Sequence, residues 1–162
     1  MGSEMCIRDR NRLVKRYKKD CIFSLHPRTR QRLESHKFVI DKRVKLMEPF
    51  GYLDYVKLQL SAFVVLSDSG TITEEASILN FRAINLREEH ERPEGFEEAS
   101  VMFCGLSFEL INTAIKILIN QKTGTNRTLD IPRDYQVQNV SEKIVRIILS
   151  YTNYVNKYVW RN

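Results

Sequence analysis

The stretch Ser67-Asp68-Ser69-Gly70-Thr71-Ile72-Thr73-Glu74-Glu75 sets four hydroxyls and a glycine ahead of a pair of carboxylates. An apolar run, Phe63 to Leu66, precedes it, and apolar or small residues recur at helical spacing (Ile72, Ala76, Leu79) after it. That pattern reads as a strand, a tight polar turn and the first turn of a helix. The unpaired N–H groups of a helix's first turn, together with its dipole, favour an anion at such a corner. Ser69, Gly70 and Thr71 are therefore candidates to cradle the phosphates of a nucleotide. The same residues fit a plainer reading, a capping box in which Thr71 and Glu74 satisfy each other's backbone donors.

Three further groups fall at strand or helix ends. His26-Pro27-Arg28-Thr29-Arg30 follows the apolar run Cys21 to Leu25 and reads as a loop at a strand's carboxyl end, the edge where open α/β sheets take ligands. His26 and Arg28 are candidates for an anionic ligand there, with a solvated loop as the alternative. Tyr52 and Tyr55 stand at the start of a helix spanning 52–62. A ring at that place can stack on a base or simply pack. The charged run Arg87 to Glu94 ends a further strand, and Arg92 sits at a short helix that Pro93 begins. Its planar fork of donors suits phosphate.

The elements that must carry these residues alternate along the chain. A basic helix spans 11–20, with Leu13, Val14 and Tyr17 inward. Strands are expected at 21–25, 44–47, 63–66, 81–86 and 101–104. Between them fall the helix over 52–62, with Leu53, Val56 and Leu60 inward, and the helix after Gly70; Phe96 and Ala99 would anchor the short helix at Pro93. Phe108 to Asn120 is amphipathic. Residues 121–138 form a polar connection, and Ser141 caps a last helix with an apolar stripe through Ile144, Ile147, Ile148, Tyr151, Val155 and Tyr158. This alternation argues for an α/β fold, a Rossmann-like parallel sheet with helices on both faces. Residues 1–10 show no periodicity, include a second methionine and read as a non-native or artefactual leader. On that view the natural protein extends further upstream. The main domain spans 11–138, and 139–162 is the C-terminal helix.

Composition narrows the function. The net charge of +6 is local: residues 1–45 carry +9 and the remainder −3. A basic N-terminal segment is usually a solvated face, and less often a surface for anionic partners. No apolar run approaches the roughly 20 residues a membrane-spanning helix needs, and no G-x-G-x-x-G points to a nicotinamide or flavin dinucleotide. Cys6, Cys21 and Cys104 have no metal-ligand spacing, which fits reduced thiols in a cytoplasmic protein.

Several motifs in one order carry a resemblance: Leu25-His26-Pro27-Arg28-Thr29-Arg30, Ser67-Asp68-Ser69-Gly70, Glu74-Glu75, Arg87 and Glu91-Arg92-Pro93-Glu94. Together they resemble the C-terminal domain of the bacterial non-hydrolysing UDP-N-acetylglucosamine 2-epimerases, over about residues 11–162. Residues 68–80 and the tail Ser150 to Trp160 look most like the capsule and O-antigen branch that makes UDP-N-acetyl-L-fucosamine. The resemblance implies one half of a two-domain glycosyltransferase-B type fold, holding UDP. Ser69 and Gly70 would contact the diphosphate, with Thr71 standing where many members have a second glycine. Glu75 would hold the ribose hydroxyls, Arg92 would pair with phosphate, Tyr55 would pack on uracil, and His26 with Arg28 would line the cleft. It implies no catalytic residue in this chain, no metal or cofactor, a UDP-sugar substrate, and a homodimer as the full-length protein. The last helix would pack toward the absent N-terminal domain, leaving Tyr151, Tyr154, Tyr158 and Trp160 exposed here. Two alternatives stand beside it. One is the donor half of a glycosyltransferase of the same fold; the other is a module binding nucleic acid or anionic lipid through the basic segment, whose residues lack the interleaved aromatics of a stacking platform.

Overall fold

Two parallel ladders carry the strands, flanked by helices in strict alternation. The computed structural model describes residues 2–35, 38–88 and 92–161, with the side chains of 2–6, 27, 28, 32 and 34 outside that description. In chain order the elements are α1 (Gly2–Tyr17), β1 (Cys21–Ser24), α2 (Pro27–Ser35), β2 (Val44–Met47), α3 (Tyr52–Ser61), β3 (Val65–Ser67), α4 (Ile72–Leu79), β4 (Ala83–Asn85), α5 (Glu94–Glu97), β5 (Met102–Phe103), α6 (Phe108–Leu118) and α7 (Val140–Tyr154). A 3₁₀ turn, Arg133–Gln136, precedes α7, and a π turn, Val155–Val159, extends it. The expected α/β class with parallel strands is what folds. The single sheet is instead divided, β1 pairing with β2 and β3-β4-β5 forming the second ladder.

The core follows the apolar positions of strands and helices. Ile84 of β4 packs with Ile111, Ala114, Ile115 and Leu118 of α6, with Leu13 and Tyr17 of α1 and Leu66 of β3 against them. On the other side Ile72 and Ala76 of α4 meet Phe81, Ala83 and Val101. Each of these large side chains removes enough apolar surface from water to contribute about 1.5–3 kcal/mol. Ser107 caps α6 by accepting from the Leu110 amide at 3.4 Å.

Five expectations are corrected. Helix α1 begins at Gly2, not near Asn11, and Ile7 is buried with Leu25 and Leu33, so the stretch before residue 11 contributes to the core. The segment after His26 is helix α2, not a loop: the amides of Thr29 and Arg30 bond back to the His26 carbonyl, and Pro27 suits a first helical position because it has no N–H to leave unpaired. On α3, Leu53 and Leu60 are exposed, Val56 is half-buried, and the side chain that goes fully inside is Gln59. Asn139, with φ 60°, precedes α7, and neither it nor Ser141 makes a side-chain cap there. At α5, Phe96 stacks on Phe103 with ring centroids 4.6 Å apart, while Ala99 is exposed with φ 49°.

The polar connection after α6 is fastened down. Asn80 ends α4 in the left-handed conformation, and its Nδ2 donates to the carbonyls of Gly124 at 2.8 Å and Asn126 at 3.2 Å. Arg127 donates to the carbonyls of Ser77 and Ile78, satisfying acceptors that the end of a helix leaves open. The last helix is different. Its stripe lies in solvent, with Tyr151, Tyr154, Tyr158 and Trp160 between 57% and 66% exposed, as expected.

Candidate functional site

The corner between β3 and α4 is built from its own hydroxyls. Ser67 Oγ accepts from the Ser69 amide at 3.1 Å, Ser69 Oγ accepts from the Thr71 amide at 3.3 Å, and the hydroxyls of Ser69 and Thr71 lie 2.9 Å apart. Among the described residues, the amides of Gly70 and Ile72 find no acceptor. Ser69 and Thr71 are exposed. Hydroxyls and unclaimed amides gathered at a helix start suit a phosphate group. The plainer capping box does not form: Thr71 is helical at φ −66°, ψ −14° and makes no side-chain cap.

Glu74 is engaged elsewhere. Its Oε1 accepts from Arg92 Nε at 2.6 Å, tying the first turn of α4 to the start of α5. Among the described residues, its Oε2 and the hydroxyl of the neighbouring Thr73 are both out of solvent without a hydrogen-bond partner. Tyr135 donates to Glu94 Oε1 at 2.9 Å on the same side. Burial, then that bond and the charge of Glu94, push the Tyr135 hydroxyl well above the ordinary tyrosine range. Gly95 allows α5 to lie this close, since a Cβ there would fall 2.1 Å from Thr73 Cγ2.

Glu75, one position on, faces α3. Gln59 Nε2 donates to its Oε2 in a short hydrogen bond. Tyr55, one helical turn before Gln59, is half-buried beside them. Burial, followed by the negative charge of Glu75, raises the Tyr55 hydroxyl above its ordinary range, while hydrogen bonds with Ser67 and Gln59 pull the other way.

The structure thus joins Tyr55, Glu75, the Ser69-Gly70-Thr71 turn and Arg92 around the start of α4. His26 is exposed and follows β1, a strand of the other ladder. The side chain of Arg28 lies outside the described residues, as do Glu91 and His90. Sequence reasoning missed Gln59, although its place four residues after Tyr55 puts both on one helix face. An open pocket of about 360 Å³ at the carboxyl ends of β4 and β5 is lined by Arg87, Phe103, Gly105 and Ser107 among others. Gly105, one of its lining residues, has φ +55°, a conformation that side chains disfavour. Among the described residues no group of three or more His, Cys, Asp or Glu could hold a metal ion, and no helix is long and apolar enough to cross a membrane.

A parallel α/β unit with an anion-suited turn at a strand's carboxyl end defines a nucleotide-binding class of domain, and known proteins narrow the class. The family model for UDP-N-acetylglucosamine 2-epimerase matches residues 3–149. A UDP-N-acetylglucosamine 2-epimerase of Methanocaldococcus jannaschii is 36% identical over 146 residues, covering 88% of this chain and 38% of that protein. The solved UDP-N-acetylglucosamine 2-epimerase of Rickettsia bellii superposes with a TM-score of 0.88 at 41% identity, over 99% of this chain and 44% of that one. The M. jannaschii enzyme in complex with UDP-GlcNAc and UDP superposes with a TM-score of 0.78 at 34% identity, over 91% and 40%. The chain belongs to the UDP-N-acetylglucosamine 2-epimerase family. It spans about two fifths of the length of these relatives.

Proposed function

We propose that this chain is the UDP-holding, C-terminal part of a sugar-nucleotide 2-epimerase. The observation that supports it most is the Ser69-Gly70-Thr71 turn, with its unclaimed amides, in a chain whose relatives include an epimerase solved with UDP-GlcNAc and UDP. Ser69, Gly70 and Thr71 take the diphosphate, Glu75 the ribose hydroxyls, Tyr55 the uracil, and Arg92 a phosphate, with His26 and Arg28 at the rim. The reaction removes a proton from C2 of the sugar, expels UDP to leave a glycal, and returns UDP to the sugar after protonation of C2 on the other face. UDP must leave, stay and return, so fixed donors at the developing pyrophosphate charge are what this part supplies. The acid and base carboxylates belong to the part of the relatives' length that this chain does not span. No metal or cofactor is required by that chemistry.

Within the family, residues 68–80 favour the branch that makes UDP-N-acetyl-L-fucosamine for capsule or O-antigen in the cytoplasm, acting as a homodimer. The stripe on α7 packs against the N-terminal part of such an enzyme. Its exposure over Ile144, Ile147, Ile148 and the four aromatics supports that placement.

Calorimetric titration of UDP into the chain tests the reading. Weak binding is expected, with Arg92→Ala losing about 1.5–3 kcal/mol as for a charge-assisted contact. Because Arg92 also holds Glu74, Glu74→Gln is the control: it weakens the ion pair and keeps the guanidinium. Absence of UDP binding at millimolar concentration counts against the nucleotide site, and turnover of UDP-N-acetylglucosamine by this chain alone refutes the division of labour.

A further inference from the structure

Gln59 is hard to explain as a packing residue. It is 2% exposed, on a helix whose Leu53 and Leu60 are 80% and 50% exposed. A leucine or methionine of similar size would bury there without desolvating an amide. The orientation of that amide is fixed by its neighbour: a carboxylate only accepts, so Nε2 faces Glu75 Oε2. Oε1 is then left out of solvent with no partner among the described residues, which costs free energy. Stability alone gives no reason to place a glutamine here. Glu75, by contrast, gains a fixed orientation. One of its oxygens is pinned by Gln59, and Oε1 has no partner among the described residues. Tyr55 lies one helical turn earlier, on the same face of α3.

We propose that Gln59 is a positioning residue that locks the Glu75 carboxylate, through Oε2, so that Oε1 is presented to the ribose hydroxyls of the bound nucleotide. This rests on the ribose role of Glu75 in the function proposed above. Gln59 touches no substrate; it acts by removing the alternative rotamers of a side chain whose ordering would otherwise oppose binding.

The test compares UDP with 2′,3′-dideoxy-UDP by ligand-observed NMR titration of the full chain, a method that reads millimolar binding. Gln59→Met keeps the volume and removes the donor. It is expected to weaken UDP about 5- to 10-fold and the dideoxy nucleotide less than twofold. Gln59→Glu keeps the shape and sets two carboxylates together, so one holds its proton more tightly than usual. Its UDP affinity, taken as a ratio to wild type at each pH, is expected to be depressed at pH 8 and to recover toward pH 5, where a protonated Glu at 59 donates as the amide did. A merely structural role predicts no such recovery and equal losses for both nucleotides, and either result overturns the proposal. Glu75→Ala separates the two layers. If it abolishes the preference for UDP while Gln59→Met preserves it, the positioning role alone fails. If Glu75→Ala leaves the preference intact, or wild type binds no UDP, the underlying ribose role fails with it.

Discussion

Helices α6 and α7 carry the same kind of apolar repeat and meet opposite fates. On α6, Ile111, Ala114, Ile115 and Leu118 are at most 5% exposed against β4. On α7, Ile144, Ile147 and Ile148 are 49–57% exposed, and the helix buries nothing. The repeat specifies which face of a helix is apolar. Whether that face is covered depends on what the rest of the chain brings to it, and here β4 covers α6 while, among the described residues, nothing buries a side chain of α7.

The sharpest test of that contrast is a matched pair of truncations followed by urea denaturation. Ile115→Ala should cost about 2–5 kcal/mol, the usual range for emptying a core site. Ile148→Ala should stay within about 0.5 kcal/mol, as for a surface change. A large loss at Ile148 would mean that α7 is covered in solution and that the contrast with α6 is false.

The contact between α4 and α5 ranks next. Gly95→Ala pushes a methyl into Thr73 and should cost about 1–3 kcal/mol by overpacking. It should also weaken UDP binding, because α5 begins beside Arg92. Unchanged stability would show that this contact is looser than the core beneath α6.

A smaller effect is expected where α1 meets β2. Arg43 donates to both oxygens of Asp41 and, through Nη1, to the Val14 carbonyl. Hydrogen bonds from the Arg43 side chain, then from its amide, hold the Asp41 carboxyl down at about 2 against an ordinary 3.8. A folded-state value below the unfolded one means that the contribution is present above about pH 4 and is lost as pH falls toward 2. The pair is half-buried and partly screened by solvent, so the readout is the shape of the acid limb. Asp41→Asn should flatten it between pH 4 and 2 in a thermal melt series; an unchanged limb would remove Asp41 from the account of acid stability.

Tyr135 supplies the alkaline counterpart. Its raised hydroxyl keeps the folded state protonated where an unfolded tyrosine ionises. The contribution is complete below the ordinary tyrosine value near 10 and declines as pH rises above it. Tyr135→Phe should remove that decline and delete the latest-titrating component of the ultraviolet phenolate signal. A Tyr135 that ionises with the exposed tyrosines would argue that the Glu94 bond is absent in solution.

Much of this protein is legible from local pattern. The bounds of β2, the inward face of α1, the turn at Ser69-Gly70-Thr71 and the apolar stripe of α7 all follow from short-range periodicity and turn chemistry. These signals live within a few residues, so the chain carries them wherever it folds. The order of motifs from Leu25 to Glu94 likewise carries the family resemblance. Partner choice is another matter. On α3, Gln59 turns inward and bonds to Glu75, sixteen residues further on, while Leu53 and Leu60 lie outside. That Glu74 forgoes its capping role follows from Arg92 arriving across α5, and the burial of Ile7 depends on Leu25 and Leu33. A helix repeat or a capping motif states what a residue can satisfy locally. Which of several partners it takes is a competition among groups distant in the chain, and the three-dimensional packing settles that competition.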